Sequence, residues 1–301
     1  MRIVSVGEIL WDVIGDREYL GGAPLNFAAH VRQLGHEVFL LSAVGEDDRG
    51  RRALRSLQER GMSAEFVQVL RGKQTGTAEV ELDPEGKPMF RIVRPAAYDF
   101  VELDPAQLQR IRELQPDWIY FGTLYHMSSV ALASTLKLLG ATPTARRFYD
   151  VNLRDGNWSL GVVEQLSAKA TVVKLSDSEA EFLDATVNAG GQGSSVEEFC
   201  RRWSEQYDCS LMCVTFGERG CAIFKDGVYC EIPGFKVEVV DTVGSGDAFS
   251  AAFLHSNTQG WDAHRMGRFA NAVGALVASR PGATPEWQVQ ECQNMLATQN
   301  R

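Results

Sequence analysis

The residues best placed to do chemistry lie together in Asp241-Thr242-Val243-Gly244-Ser245-Gly246-Asp247-Ala248-Phe249. A strand-like run ends just before this segment, and an apolar helix pattern, Ala248 to Leu254, begins just after it. Gly244, Ser245 and Gly246 carry small side chains or none, so successive backbone N–H groups can crowd around one anion. Those groups fall at a helix N-terminus, where the macrodipole also favours negative charge. This is the make-up of a hole for the charge that builds on a phosphoryl group during transfer. Asp247 stands at its lip. Spacing alone leaves two roles open for it: a functional carboxylate, or the N-cap of the helix.

A second segment, Gly21-Gly22-Ala23-Pro24-Leu25-Asn26-Phe27-Ala28-Ala29, pairs two glycines with a first-turn proline. Glycine lets the backbone approach a ligand closely, and Asn26 offers donors and an acceptor to a polyhydroxylated one. The same pattern also serves as a plain structural join. The common nucleotide loops are absent. Gly72-Lys73 is followed by Gln74, Gly86-Lys87 by Pro88, and Phe249 occupies the third glycine position of a dinucleotide fingerprint. A P-loop ATPase and a nicotinamide dehydrogenase are both disfavoured.

The elements that must hold these segments alternate. Strand-like runs at Arg2–Val6, Val38–Ala43, Trp118–Phe121, Phe148–Val151, Val172–Leu175 and Met212–Phe216 are separated by amphipathic stretches. In Asp104–Leu114 the opening Asp-Pro reads as an N-cap and first-turn proline, and Ser195–Tyr207 repeats its apolar residues at helical spacing. Strand then helix, repeated, predicts an α/β fold: a three-layer, Rossmann-like, mainly parallel sheet flanked by helices. Two regions break the alternation. Trp11–Leu20 is extended, and Thr77–Leu82 with Met89–Val93 reads as a hairpin about the turn Asp83-Pro84-Glu85-Gly86-Lys87. Residues 11–22 and 74–97 are expected to form a small β-sheet lid inserted in a single domain spanning residues 1–301. Cys221–Phe224, Val228–Ile232 and Val237–Val240 suggest a late meander, and the run Gly190–Ser195 a loop. No internal repeat is visible.

Composition bounds the partners. The chain has 301 residues, 45% hydrophobic and 23% charged, which is globular. Its 39 acidic against 30 basic residues leave a net charge of −9, which argues against sequence-independent binding to nucleic acid or an anionic membrane. No apolar run approaches the roughly 18 residues of a membrane span, and Glu8 interrupts the only apolar opening segment. The six cysteines form no C-x-x-C pair and the five histidines are scattered. Reduced thiols packed in a cytoplasmic protein are expected, rather than a zinc site or a disulfide framework.

Taken together, the two glycine-bearing segments resemble the signature regions of the ribokinase-like (PfkB) carbohydrate kinases, above all bacterial fructokinases. Val44-Gly45-Glu46-Asp47-Asp48-Arg49-Gly50, Asp150-Val151-Asn152-Leu153-Arg154 and Val214-Thr215-Phe216-Gly217-Glu218-Arg219-Gly220 are similar to further family segments, in order and spacing. The resemblance implies transfer of the ATP γ-phosphoryl to a sugar hydroxyl, with D-fructose as the first acceptor. A 2-keto-3-deoxygluconate kinase is the alternative, then a ribose or nucleoside kinase. A binding protein that keeps the fold without catalysis is the alternative from another class.

By the same resemblance, Asp247 is the catalytic base, kept ionised by its place at a helix N-terminus, and Gly244, Ser245 and Gly246 form the anion hole. Arg154 lies near the transferring phosphate. Asp12, Gly22 and Asn26 contact the sugar. Asp99 is expected near it too, and Arg94, like Arg91, is a candidate for a substrate carboxylate. Thr215, Gly217, Gly220 and Asn271 line the nucleotide. The family's Asn-x-x-Glu segment appears as Ser176-Asp177-Ser178-Glu179, which leaves Glu179 as the Mg2+-associated acid. Asp241, with residues around Arg280 to Glu286, marks a K+ site in which Glu286 replaces a usual serine. The lid implies a homodimer.

Overall fold

The computed structural model describes residues 1–82, 88–187 and 193–298; the expected turn at Asp83–Lys87 and the glycines of the 190–192 loop lie outside the described residues. Nine strands form the large sheet, in the spatial order β13 (Val228–Pro233), β12 (Gly220–Lys225), β11 (Leu211–Thr215), β10 (Val172–Ser176), β9 (Arg146–Asp150), β8 (Trp118–Gly122), β1 (Arg2–Val6), β4 (Glu37–Gly45) and β5 (Val67–Leu70). From β11 to β5 every pairing is parallel; β12 and β13 add an antiparallel edge.

Ten α-helices cover the sheet. One face carries α1 (Ala23–Gln33), α2 (Asp48–Glu59), α8 (Ser245–Thr258), α9 (Ala263–Ala278) and α10 (Val289–Thr298). The other carries α3 (Pro105–Leu114), α4 (Ser129–Ala141), α5 (Leu160–Ser167), α6 (Asp177–Val187) and α7 (Val196–Tyr207). Successive strand residues point to opposite faces. Ile3 and Phe148 therefore join the first core, and Val4 and Tyr149 the second. With both faces covered, the strands read as unbroken apolar runs rather than alternating ones. Phe27 of α1 stacks on Tyr120 of β8 at 3.7 Å between ring centroids, which seats the α1 helix on the sheet.

The local signals act as the sequence implies. Asp104 caps α3 with Pro105 in its first turn, and Ser195 with Glu198 forms a capping box on α7. Val237–Val240 is not a third meander strand. After Pro233 the chain leaves the sheet edge, and Val240 N–H donates to the Ala278 carbonyl at the end of α9. A run of valines with no neighbouring strand to pair with does not become one.

A separate four-stranded sheet has the order β3 (Arg17–Gly21), β2 (Leu10–Ile14), β6 (Gly76–Leu82) and β7 (Pro88–Val93). The Gly45–Gly50 segment anchors its root. Asp47 caps α2 through Gly50 N–H, and its carboxylate also accepts from Thr75 N–H and Oγ1 at 2.8 and 2.7 Å. A Cβ on Gly50 would lie 2.1 Å from the Gly45 carbonyl oxygen, so this family-like motif is a tight structural knot.

Candidate active site

β1 lies between β4 and β8, and the chain visits first one side of it and then the other. At such a switch point the loops leaving the strand ends diverge and open a crevice. Here the crevice is a narrow cleft lined by Glu8 after β1, Gly122 at the end of β8 and Thr123 after it, Asn152 and Arg154 after β9, and Ala23 and Pro24 of α1. Gly22, the residue before α1, has φ 109°, and a Cβ there would lie 2.4 Å from the Glu8 carbonyl oxygen. Only glycine lets the two segments meet this closely. The Glu8 carboxyl, in turn, accepts from Ala23 N–H at 3.2 Å and caps α1 from a distance.

The α8 helix starts where the sequence places the anion hole, but its N-cap is Gly244, with φ 78°. Asp247 is the third residue of the helix, so the N-cap reading of Asp247 is ruled out. Gly244 leaves no side chain over the helix start, and first-turn N–H groups such as those of Gly246 and Asp247 have no partner within a helix. Asp247 accepts a hydrogen bond from Asn26 Nδ2 at 2.9 Å. The buried Oδ1 of the same amide has no partner among the described residues, so it is an acceptor awaiting a donor such as a hydroxyl.

Helix position is not what dominates the Asp247 carboxyl. Burial pushes it up to about 6, aided by the negative charge of Asp150 and opposed by Asn26, Lys174 and Arg154. It is still ionised at neutral pH. Burial likewise raises Asp12 to about 6 and Glu8 to about 7, each restrained by Arg154. One guanidinium thus acts electrostatically on all three carboxyls. Arg154 itself is exposed and donates to the Leu153 carbonyl at 3.3 Å. Asp12, on β2, packs its Oδ2 against Gly21, where a Cβ would come within 2.6 Å.

Beneath the start of α8 lies a group that sequence reasoning missed. Asp150, 1% exposed, accepts from Lys174 Nζ at 3.1 Å, Tyr120 Oη at 3.1 Å and Ser250 Oγ at 2.8 Å. Burial works against the charge on Lys174, but Asp150, Glu179 and Asp247 together hold its pKa above the ordinary lysine value. The available signal was a lysine inside the apolar run Val172–Leu175. Glu179 has a structural task that the sequence did not indicate. Its two oxygens accept from Leu153 and Ser176 N–H at 2.5 and 2.7 Å, which ties the Arg154 loop to the start of α6.

The remaining candidates divide. Arg94 and Asp99 pair with each other, Asp99 also accepts from Ala96 N–H, and Arg94 donates to the Leu124 carbonyl. Neither lines the cleft, and Arg94 is already matched to a carboxylate of its own chain. Arg91 pairs with Glu79. Thr215 closes β11, Gly217 has φ 60°, and Gly220 opens β12 with no room for a Cβ against the Ile232 carbonyl. Asn271 gives its amide hydrogens to the Ile232 and Pro233 carbonyls, which makes it a brace for the end of β13. Asp241 accepts from Val243 and Gly282 N–H, each at 3.0 Å, and so joins the two loops of the expected cation site, while Glu286 is exposed.

All six cysteines are free thiols. Among the described residues no helix is long and apolar enough to cross a membrane, and no group of three or more His, Cys, Asp or Glu side chains is arranged to hold a metal ion.

The pfkB family carbohydrate kinase model matches residues 3–289. Fructokinase-2 of Solanum lycopersicum is 30% identical, over 94% of this chain and 92% of that protein. The fold superposes on the crystal structure of a fructokinase with bound ATP from Xylella fastidiosa with a TM-score of 0.85 at 24% identity, covering 100% of this chain and 99% of that one. A double mutant of the fructokinase from Vibrio cholerae O395, in its fructose-, ADP- and potassium-bound form, gives 0.78 at 25% identity over 94% of each chain. A cleft at the switch point, a carboxylate in the first turn of a glycine-started helix and a family match over nearly the whole length converge: this chain belongs to the pfkB family of carbohydrate kinases and is an ATP-dependent sugar kinase.

Proposed function

We propose that the acceptor is D-fructose and that the product is fructose 6-phosphate. One observation carries the site assignment. Asp247 sits in the first turn of α8, held by Asn26 and within the field of Arg154, beside N–H groups free to receive an anion. Asp247 takes the proton from the attacking hydroxyl as its oxygen bonds to the γ-phosphorus, and ADP leaves with the electrons of the broken P–O bond. The first-turn N–H groups of α8 and the Arg154 guanidinium stabilise the charge on the transferring group. Asp12 and the Asn26 carbonyl oxygen receive sugar hydroxyls, and Gly22 lets the chain approach the ring.

Mg2+ would arrive on the ATP phosphates with its own waters and neutralise their charge, so it asks few ligands of the protein. Glu179 stands at the base of the Arg154 loop, but both its oxygens already accept backbone N–H groups, so it would meet such a metal only through water. Fructokinase relatives at 27–30% identity support the choice of fructose. The pairing of Arg94 with Asp99 weighs against an acid-bearing acceptor. We further propose a homodimer through the small sheet, where Ile14 and Tyr19 stand 46% and 47% exposed.

The test is coupled ADP release from Mg-ATP with fructose, ribose, adenosine and 2-keto-3-deoxygluconate, each with and without potassium. Turnover of 2-keto-3-deoxygluconate but not fructose overturns the choice of sugar. Light scattering that reports a monomer at micromolar concentration overturns the dimer.

A further inference from the structure

One face of α1 carries a polar stripe, Asn26, His30 and Gln33, spaced at i, i+4 and i+7. Asn26 binds Asp247. One turn on, His30 Nε2 meets the Ala283 carbonyl at 3.0 Å, and at the end of the helix Gln33 bonds the Pro285 carbonyl and Trp287 N–H. Helix α1 therefore grips both the catalytic helix and the loop that packs on its start.

The hydrogen bonds fix the His30 tautomer. Trp287 Nε1–H can only donate, and it reaches His30 Nδ1 at 3.1 Å. Nδ1 is thus the acceptor, the proton sits on Nε2, and Nε2–H donates to the Ala283 carbonyl. That carbonyl presses on the anion hole: a Cβ built on Gly244 would lie 2.0 Å from its oxygen. His30 is fully buried, and burial pushes its pKa down to about 4, the direction that favours the neutral ring these hydrogen bonds require.

We propose that His30 is a positioning residue for phosphoryl transfer, holding the Ala283 carbonyl against Gly244 and so aiming the first-turn N–H groups of α8. The proposal rests on the assignment of the α8 start as the anion hole. It makes α1 a rigid link between the sugar side of the cleft, where Gly22 precedes its first turn, and the loop beside Asp241. A misaimed donor fails in the transition state more than in ground-state binding, so the loss should fall on kcat.

The experiment compares wild type with His30→Gln, whose amide can still donate to the Ala283 carbonyl, and with His30→Asn, which is too short to reach it. Turnover is measured on fructose, and also as slow Mg-ATP hydrolysis by water, which uses the same hole without a sugar. Expected are a kcat loss of about tenfold or more in His30→Asn, with KM for ATP and fructose within about twofold, and recovery to within about threefold in His30→Gln. A folded His30→Asn with unchanged kcat overturns the proposal, as does an equal loss in both variants. If fructose is inert but hydrolysis follows this pattern, the sugar assignment fails and the positioning role stands. Should His30→Asn not fold, Trp287→Phe leaves His30 in place and frees its tautomer. It should lower kcat at constant KM, and no change would overturn the proposal. Imidazole 15N shifts in wild type should show the Nε2–H form, and an Nδ1–H ring would also overturn the proposal.

Discussion

Asn26 and Asp247, 221 residues apart in sequence, meet through a hydrogen bond of 2.9 Å that joins the first turn of α1 to the first turn of α8. The two glycine-bearing segments thereby become one site, with the Asn26 amide directing the lone pairs of the Asp247 carboxylate.

Replacing Asp247, the proposed base, should separate chemistry from folding. Asp247→Asn is isosteric and can still accept from Asn26. Activity is expected to fall by about a thousandfold, in the range lost with a general base. Coupled-assay kcat and calorimetric Tm on the same sample check this, and a kcat within tenfold of wild type removes Asp247 from the role.

The same variant carries a pH signature. Burial first, then the charge of Asp150, raises the folded pKa of Asp247 to about 6, above its unfolded value. The stability this group contributes is therefore full below about pH 4 and is lost as pH rises through about 6. Asp247→Asn escapes that loss. It should be more stable than wild type at pH 7.5, by on the order of 2–3 kcal/mol, and by only about 1 kcal/mol at pH 4.5. Urea unfolding of the pair at both values reads the difference directly.

Catalysis should run the opposite way. The proposed base works ionised, so kcat is expected to fall tenfold per unit below about pH 6. Removing the Arg154 charge takes away a force that lowers Asp247, so Arg154→Ala should shift this acid limb to higher pH as well as reduce kcat by about a hundredfold. Arg154→Lys keeps the charge and loses the fork. It should leave the limb in place while kcat remains low. An unshifted limb in Arg154→Ala would show that the guanidinium does not act on the base.

Lys174→Met leaves Asp150 charged and buried beside Tyr120 and Ser250. Breaking one side of such a pair costs about 3–5 kcal/mol, whereas Asp150→Asn/Lys174→Met, which removes both charges, should recover most of it. Chemical denaturation of wild type, Lys174→Met, Asp150→Asn and the double variant tests this. Additive losses would mean that the pair is not coupled.

Much of the fold was legible because it rests on local rules. Buried parallel strands read as short apolar runs, Asp104-Pro105 and Ser195 announce helix starts, and the glycines around Gly22 and Gly244 mark places where the backbone must run without a Cβ. Order and spacing of these segments were enough to bring the family resemblance and the candidate base. What the sequence determined is thus the inventory of elements and the groups that carry charge. The tertiary structure decided their partners. Arg94 is engaged by Asp99, Asn271 by β13, and Glu179 by two backbone N–H groups, while Lys174 and His30 find partners beneath and beside the start of α8. The reason is physical: a hydrogen bond is fixed by distances of about 3 Å, and the pKa of a carboxyl by how far packing strips its water away. Neither is a property of neighbours in sequence, and Asn26 and Asp247 acquire both only when α1 and α8 are laid side by side on the sheet.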